Sequence, residues 1–287
     1  MCRTGSTPWA RHPGPCPFSI DPDPGNSNAG YREDIRGEEE EKTGKPDNPE
    51  EPYTFLSDTM EIVPGIHMVD RVNGNSYILV RDSLTVIDTG IPGSGKKILS
   101  YIREKLHRDP GEIRTVIITH FHMDHTGGVV ALKTAAPGAK VAIGNADAGY
   151  VNGTRAPPVH AGFSGLLLRI AGTILRPGTF QPDILLKDGD RIDGLLCIAV
   201  SGHTPGSIGL LDEGTKTFFA GDILRFDGTA VAEGPSRFTM DPERSHRSIR
   251  KIALLDYDIL LPGHGVPLRP DASVKVREFA RTLVPAD

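Results

Sequence analysis

Apolar residues in this chain come in short runs broken by turn formers, and that pattern sorts the sequence into elements. Runs at 60–63, 66–69, 77–80 and 84–87 are rich in Ile, Val and Leu, with Gly, Asn or Asp between them, which predicts strands joined by tight turns. Ser94 is the expected N-cap of a helix in which Ile98, Ile102 and Leu106 recur every fourth residue, leaving Lys96, Lys97, Arg103 and Lys105 off the stripe. A strand at 115–118, a helix from about 127 to 136 and a strand at 140–143 follow. Further on, strands are expected at 183–186, 195–200, 207–212 and 216–220, then a helix near 246–256, a strand at 258–261 and a last helix near 271–284.

The stretch 144–182 stands apart and reads as a cap insertion. It holds one expected helix, 164–175, with Leu167, Ile170, Ala171 and Ile174 at helical spacing between Pro157-Pro158 and Pro177-Gly178. That helix serves either as packing for its own domain or as an apolar lid over a substrate. Two successive β-then-α halves predict an α/β fold, a four-layer αββα sandwich rather than a doubly wound parallel sheet.

Composition changes this picture at one end only. Residues 1–52 are rich in Pro, Gly and charge, including four consecutive glutamates at 38–41. A segment with so few large apolar residues cannot offset its ordering entropy, so a disordered acidic extension is expected there and a folded domain over 53–287. The extension carries 6 Lys and Arg against 11 Asp and Glu, a balance of −5 that equals the charge of the whole chain. The body is therefore formally neutral and lacks the basic footprint of a nucleic-acid binder. Three cysteines, Cys2, Cys16 and Cys197, give no disulfide framework, and Cys197 sits inside an apolar run as a small core residue. No run is apolar enough to span a bilayer, and the first twenty or so residues lack the apolar centre of a secretory signal, so a cytoplasmic location is expected.

The chemistry lies where apolar runs end. Runs at 85–87, 116–119, 197–202, 218–221 and 259–263 lead in turn to Asp88, His120, His203, Asp222 and His264. The second opens the dense string His120-Phe121-His122-Met123-Asp124-His125, followed by Thr126-Gly127-Gly128. Strand ends on one rim of a sheet can converge and fix ligand positions more rigidly than loops do. Imidazole mixed with carboxylate suits zinc or a neighbouring first-row metal far better than calcium or magnesium. Seven candidates result: His120, His122, Asp124, His125, His203, Asp222 and His264. One catalytic zinc uses three protein ligands, so seven suits two metals with one carboxylate shared. His120 and His122, two apart on an extended segment, point the same way, while Asp124 and His125 can face a second ion. Asp88 also fits a turn former before Gly90. The remaining histidines read as surface or core residues, with His160, in the cap, a candidate for touching substrate.

The string His-x-His-x-Asp-His, with the later Gly-His-Thr, Gly-Asp and Gly-His-Gly, resembles the metallo-β-lactamase superfamily from about Met60 to the end of the chain. The resemblance implies that His120, His122 and His203 bind one metal, that Asp124, His125 and His264 bind the other, and that Asp222 bridges them. It implies that Asp88 orients a ligand imidazole. Two zinc ions, with iron or manganese as alternatives for one or both, would then share a water whose pKa falls to near ~7, making hydroxide to attack an acyl carbon. Asp124 or Asp222 would move a proton to the leaving group.

Substrate is less sharply marked. Glyoxalase II-like thioesterases keep all seven ligands, as here, but have His where this chain has Ser207. They also carry a basic C-terminal helical part, and only 23 residues follow His264 here (287 − 264). The string His203-Thr204-Pro205-Gly206-Ser207 looks like one β-lactamase subclass, which lacks an acid at the Asp222 position. Acyl-homoserine lactonases have Tyr where this chain has Arg225. The expected activity is a dinuclear-zinc hydrolase acting on a small acyl compound, thioester ahead of lactone and β-lactam. Arg225, Phe226, Arg237 and Phe238 are the expected pocket lining. A non-enzymatic scaffold is the contrasting class, and retention of all seven ligand types argues against it.

Overall fold

The computed structural model describes residues 60–69, 72–157 and 178–283. The 1–52 extension, His160 and the 164–175 helix lie outside the described residues.

A seven-stranded mixed sheet runs in chain order: β1 (Glu61–Val63), β2 (Ile66–Val69), β3 (Ser76–Val80), β4 (Leu84–Ile87), β5 (Ile113–Ile118), β6 (Lys140–Gly144) and β7 (Ile184–Leu186). Neighbours are antiparallel up to β4, and β4 through β7 are parallel. The second sheet contains β8 (Arg191–Ile192), β9 (Leu195–Ala199), β10 (Ile208–Asp212), β11 (Thr217–Gly221) and β14 (Ile259–Pro262), in the order β14-β11-β10-β9-β8. Only the β11–β14 pair is parallel in that sheet. A separate hairpin pairs β12 (Leu224–Phe226) with β13 (Val231–Glu233).

Six α-helices are described: α1 (Ser94–Glu104), α2 (Met123–Thr126), α3 (Val129–Ala135), α4 (Ala148–Val151), α5 (Pro242–Ile252) and α6 (Ala272–Thr282). Strand periodicity explains the layers. Tyr77, Leu79, Ile87 and Ile117 face Cys197, Leu210, Phe219 and Leu261 between the two sheets. Their neighbours in sequence, Ile78, Val86, Val116 and Ile118, face outward onto Ile98, Ile102 and Leu132 of α1 and α3. On the far side, Leu211, Phe218 and Leu260 pack on Ile249, Ile252 and Val276 of α5 and α6. Three apolar seams between four layers make the αββα sandwich. Strands buried on both faces read as unbroken apolar runs, which is why the runs are so visible. Phe218 and Phe219 are both essentially buried, each contributing about 1.5–3 kcal/mol by removal from water.

Two boundaries differ from expectation. Ser94 is not the N-cap of α1: Gly93 precedes the helix at φ +94°, and the Ser94 hydroxyl donates instead to the Val72 carbonyl at 2.9 Å. Helix α5 starts about one turn earlier than its apolar stripe suggests, because the Asp241 carboxylate accepts from the Arg244 N–H at 2.9 Å and Pro242 occupies the first turn.

Parallel pairing positions the site. β4 beside β5 brings the residues after Ile87 and Ile118 together, and β11 beside β14 does the same for those after Gly221 and Pro262. The sheets are tied at this end, where the buried Tyr77 hydroxyl donates to the Pro262 carbonyl at 2.7 Å and Asn75 Nδ2 donates to the same oxygen at 2.8 Å.

Candidate metal centre

All seven ligand candidates come from this rim. His120 follows β5, His122 caps α2, and Asp124 and His125 lie within α2. His203 sits in the turn between β9 and β10, Asp222 follows β11, and His264 follows β14. Two glycines admit the crowding. Gly202, at φ +140°, lies against the start of α5, and a Cβ on Gly263 would overlap Asp222 Oδ1.

Ligand atoms of His120, His122 and His203 fall within 4.8 Å of one another, as do those of His120, His125 and Asp222, and those of Asp124, His125 and His264. His122 Nδ1 is 3.0 Å from His120 Nε2 and 3.1 Å from His203 Nε2. Imidazoles this close and this buried cannot all be charged. Burial, then the neighbouring imidazoles, hold His120 well below its ordinary value and bring His122 down to about 3; burial lowers His203 as well. Neutral rings with converging lone pairs are what a divalent cation requires.

The other half is mixed in charge. His264 Nε2 is 3.1 Å from Asp124 Oδ2 and 3.4 Å from Asp222 Oδ2. Hydrogen bonds to Asp124 and Asp222 push His264 up to about 9. Burial would raise Asp222, but His125 beside it holds it well below the usual carboxylate range. Asp222 Oδ2 is 3.5 Å from His203 Nε2 and 3.9 Å from His120 Nε2, so one carboxylate faces both halves.

A layer of hydrogen bonds sets the rings. Asp88 accepts from His125 Nδ1 at 2.8 Å, from the Thr119 N–H at 2.8 Å and from the Thr119 hydroxyl at 2.7 Å. Burial would lower His125, but Asp222 and Asp88 hold it well above its ordinary value; with Nδ1 committed to Asp88, a cation would have to displace the proton on Nε2, 3.4 Å from Asp222, to use that nitrogen. Thr119 Oγ1 is 3.0 Å from His120 Nδ1, and Thr239 Oγ1 is 3.4 Å from His203 Nδ1. The outer nitrogens of three rings are thus occupied, and their inner nitrogens face the centre.

Two buried atoms at that centre, His125 Nε2 and Asp222 Oδ1, have no hydrogen-bond partner among the described residues. Orphaned polar atoms are costly in a folded core, and a cation between these donors would satisfy both. Imidazole and carboxylate in this mixture fit zinc, iron or manganese.

The pocket residues divide. The Phe238 ring lies 6.3 Å from that of His122, with the Arg237 guanidinium 4.8 Å above it. Phe226 is not at the centre. Its ring is buried in the outer apolar seam and carries Lys275 at 5.8 Å, because β12 turns alternate residues toward α6. Arg225, between two inward residues, is exposed. Sequence reasoning missed Phe121, whose ring stacks on Tyr150 at 4.1 Å and meets His122 at 4.9 Å. It also missed Asp147, a buried carboxylate behind the histidines. Asp147 shares the signal of the others, since it follows the apolar run that forms β6.

A sandwich of this form with histidines and aspartates gathered at its strand ends defines a metal-dependent hydrolase. The family profile described as Metallo-beta-lactamase superfamily matches residues 69–264, and the chain belongs to that superfamily. Among its relatives, the Uncharacterized protein YobT of Bacillus subtilis (strain 168) is 29% identical over 204 residues, covering 68% of this chain and 84% of that protein. Hydroxyacylglutathione hydrolase of Pseudomonas savastanoi pv. phaseolicola is 30% identical over 207 residues, covering 68% of this chain and 63% of that protein. Among solved structures, BJP-1, a subclass B3 metallo-beta-lactamase of Bradyrhizobium japonicum, superposes with a TM-score of 0.59 at 21% identity, covering 79% of this chain and 90% of that one. Likeness at that identity concerns the fold. No helix among the described residues is long and apolar enough to cross a membrane.

Proposed function

We propose that this metallo-hydrolase holds two zinc ions and cleaves a small acyl substrate, with thioesters as the first class. The observation that carries the reading is the placement of Asp222. Its side chain is 8% exposed, and its Oδ2 lies 3.5 Å from His203 Nε2 and 3.4 Å from His264 Nε2. In this reading His120, His122 and His203 would hold one ion, and Asp124, His125 and His264 the other, with Asp222 available to both.

When bound, the paired cations supply Lewis acidity and bring the pKa of water to near ~7. Everything else falls to the chain. His125 and His203 are kept in the required tautomer by Asp88 and Thr239. Asp124, with a third of its side chain exposed and its Oδ2 3.1 Å from His264, is the carboxylate that substrate can reach; ionised at the outset, it would take the proton released as the attacking water ionises and return it to the leaving thiolate or alkoxide as the bond to the acyl carbon breaks. Asp222, closed off from substrate, acts as a ligand. Phe121 and Phe238 flank His122 and give an apolar edge to the acyl group. The Pseudomonas relative named for hydroxyacylglutathione, a thioester, supports that substrate class over lactones and β-lactams.

Full-length protein loaded with zinc is assayed against S-lactoylglutathione, an acyl-CoA, an acyl-homoserine lactone and a chromogenic cephalosporin. Zinc-dependent turnover of a thioester is expected to lead. Absence of zinc-dependent turnover of all four would retire the small-acyl reading.

A further inference from the structure

Behind the three-histidine group lies a carboxylate that none of the family's ligand motifs includes. Asp147, in the 3-10 turn after β6, is fully buried. Its Oδ2 accepts from the Phe121 N–H at 3.0 Å and from the Thr204 hydroxyl at 2.6 Å; its Oδ1 accepts from the Gly206 N–H at 2.6 Å. Phe121 is the residue between His120 and His122, and Thr204 follows His203. One side chain therefore joins the two segments that deliver these histidines.

The rest of the arrangement is built around that joint. Thr204 Oγ1, its proton given to Asp147, is 2.7 Å from Ser207 Oγ, which donates to it and in turn accepts the Thr204 N–H at 3.0 Å. This assigns a role to Ser207, the position at which the chain departs from the glyoxalase II pattern. Gly206 is squeezed between two neighbours: a Cβ there would lie 2.7 Å from Asp147 Oδ1, and a Cβ on Gly144 would overlap the Gly206 carbonyl. By contrast, Asp147 makes no hydrogen bond to α2, β11 or β14 among the described residues, so the Asp124–His125–His264 group is set by other contacts. Burial raises the Asp147 carboxyl to about 6, against the pull of its three hydrogen bonds. The fold thus keeps an acid where its charge is disfavoured.

We propose that Asp147 is a positioning residue that clamps the His120–His122 segment to the His203 turn and so sets the cation affinity of the three-histidine site alone. The proposal rests on the two-ion reading above. Its test uses the full chain and zinc alone, with affinity read by competition against a chromophoric chelator. Wild type is expected to take two ions; fewer than two would count against the two-ion reading rather than the clamp. His264→Ala and His203→Ala provide backgrounds in which one site or the other is crippled. In the His264→Ala background, Asp147→Ala should weaken the remaining zinc site by about 10–100-fold, the usual effect of losing a group that orients ligands. In the His203→Ala background it should change affinity by less than about 3-fold, within the error of such a comparison. Thr204→Val, which keeps the volume and removes one donor, should show the same selectivity with a smaller loss, and it decides the matter if the Asp147 variants do not fold. Equal weakening in both backgrounds would reduce Asp147 to general support of the fold, and no weakening in either would remove the clamp; both results overturn the proposal.

Discussion

Replacement of Asp88 by Asn tests whether a single buried carboxylate sets the chemistry of its neighbours. Asp88 is 2% exposed and accepts three hydrogen bonds, two of them on Oδ2, from His125 Nδ1 at 2.8 Å and from the Thr119 hydroxyl at 2.7 Å. Asn keeps the shape but has one oxygen. That oxygen suits the Thr119 N–H, now bonded to Oδ1 at 2.8 Å, and leaves an NH2 facing His125. His125 then takes the other tautomer, with its proton on Nε2, the atom 3.4 Å from Asp222. One ligand lone pair is lost. Zinc affinity at the Asp124–His125–His264 group should fall about 10–100-fold, equivalent to roughly 1.4–2.8 kcal/mol. One impaired buried hydrogen bond costs a further 1–3 kcal/mol or so of stability, a drop of roughly 2–12 °C in Tm for a domain of this size. Chelator competition and a melt of zinc-stripped protein read the two effects separately. If Asp88→Asn binds both ions as tightly as wild type, the tautomer argument fails, whatever happens to Tm.

Three further outcomes follow from the same geometry. Asp222→Ala should lower activity and zinc content together, since its oxygens face both halves of the centre; full zinc content by elemental analysis would exclude a shared carboxylate. Zinc binding should weaken as pH falls: His264, pushed up to about 9, must release a proton to a cation, so below that value affinity drops by about tenfold per pH unit for each proton displaced. A flat affinity between pH 6 and 9 would contradict this, and in His264→Ala the slope should diminish. Chelation should lower Tm and zinc should restore it, with about 2.7 kcal/mol per site at a free concentration near one hundred times Kd; a Tm indifferent to zinc would mean that the folded state does not bind it.

The strands and the candidate ligands were legible for one reason: strands buried on both faces write themselves as apolar runs, and the candidates on their tips fall at the ends of those runs. Helix α5 was misplaced because its apolar stripe was given more weight than its entry signal Asp241-Pro242, which the structure uses. The hairpin β12–β13 escaped notice because a polar residue interrupts or ends each of its short strands, Leu224-Arg225-Phe226 and Val231-Ala232-Glu233, so no apolar run marks them. Phe226 followed from nearness in sequence to Asp222, yet the alternation of a strand turns it to the opposite layer. Asp147 was hidden for a different reason. It follows an apolar run as the other candidates do, but its partners lie 26, 57 and 59 residues away, and no local spacing announces those contacts, which only the fold closes.

The centre is walled unevenly. His120, His125 and His203 have side chains no more than 1% exposed, whereas those of His264 and Asp124 are 38% and 33% exposed. Each group therefore has its own open edge: an ion held by Asp124 and His264 would meet solution past those two side chains, and one held by the three histidines would meet it past the half-buried His122, so the two would exchange by separate paths.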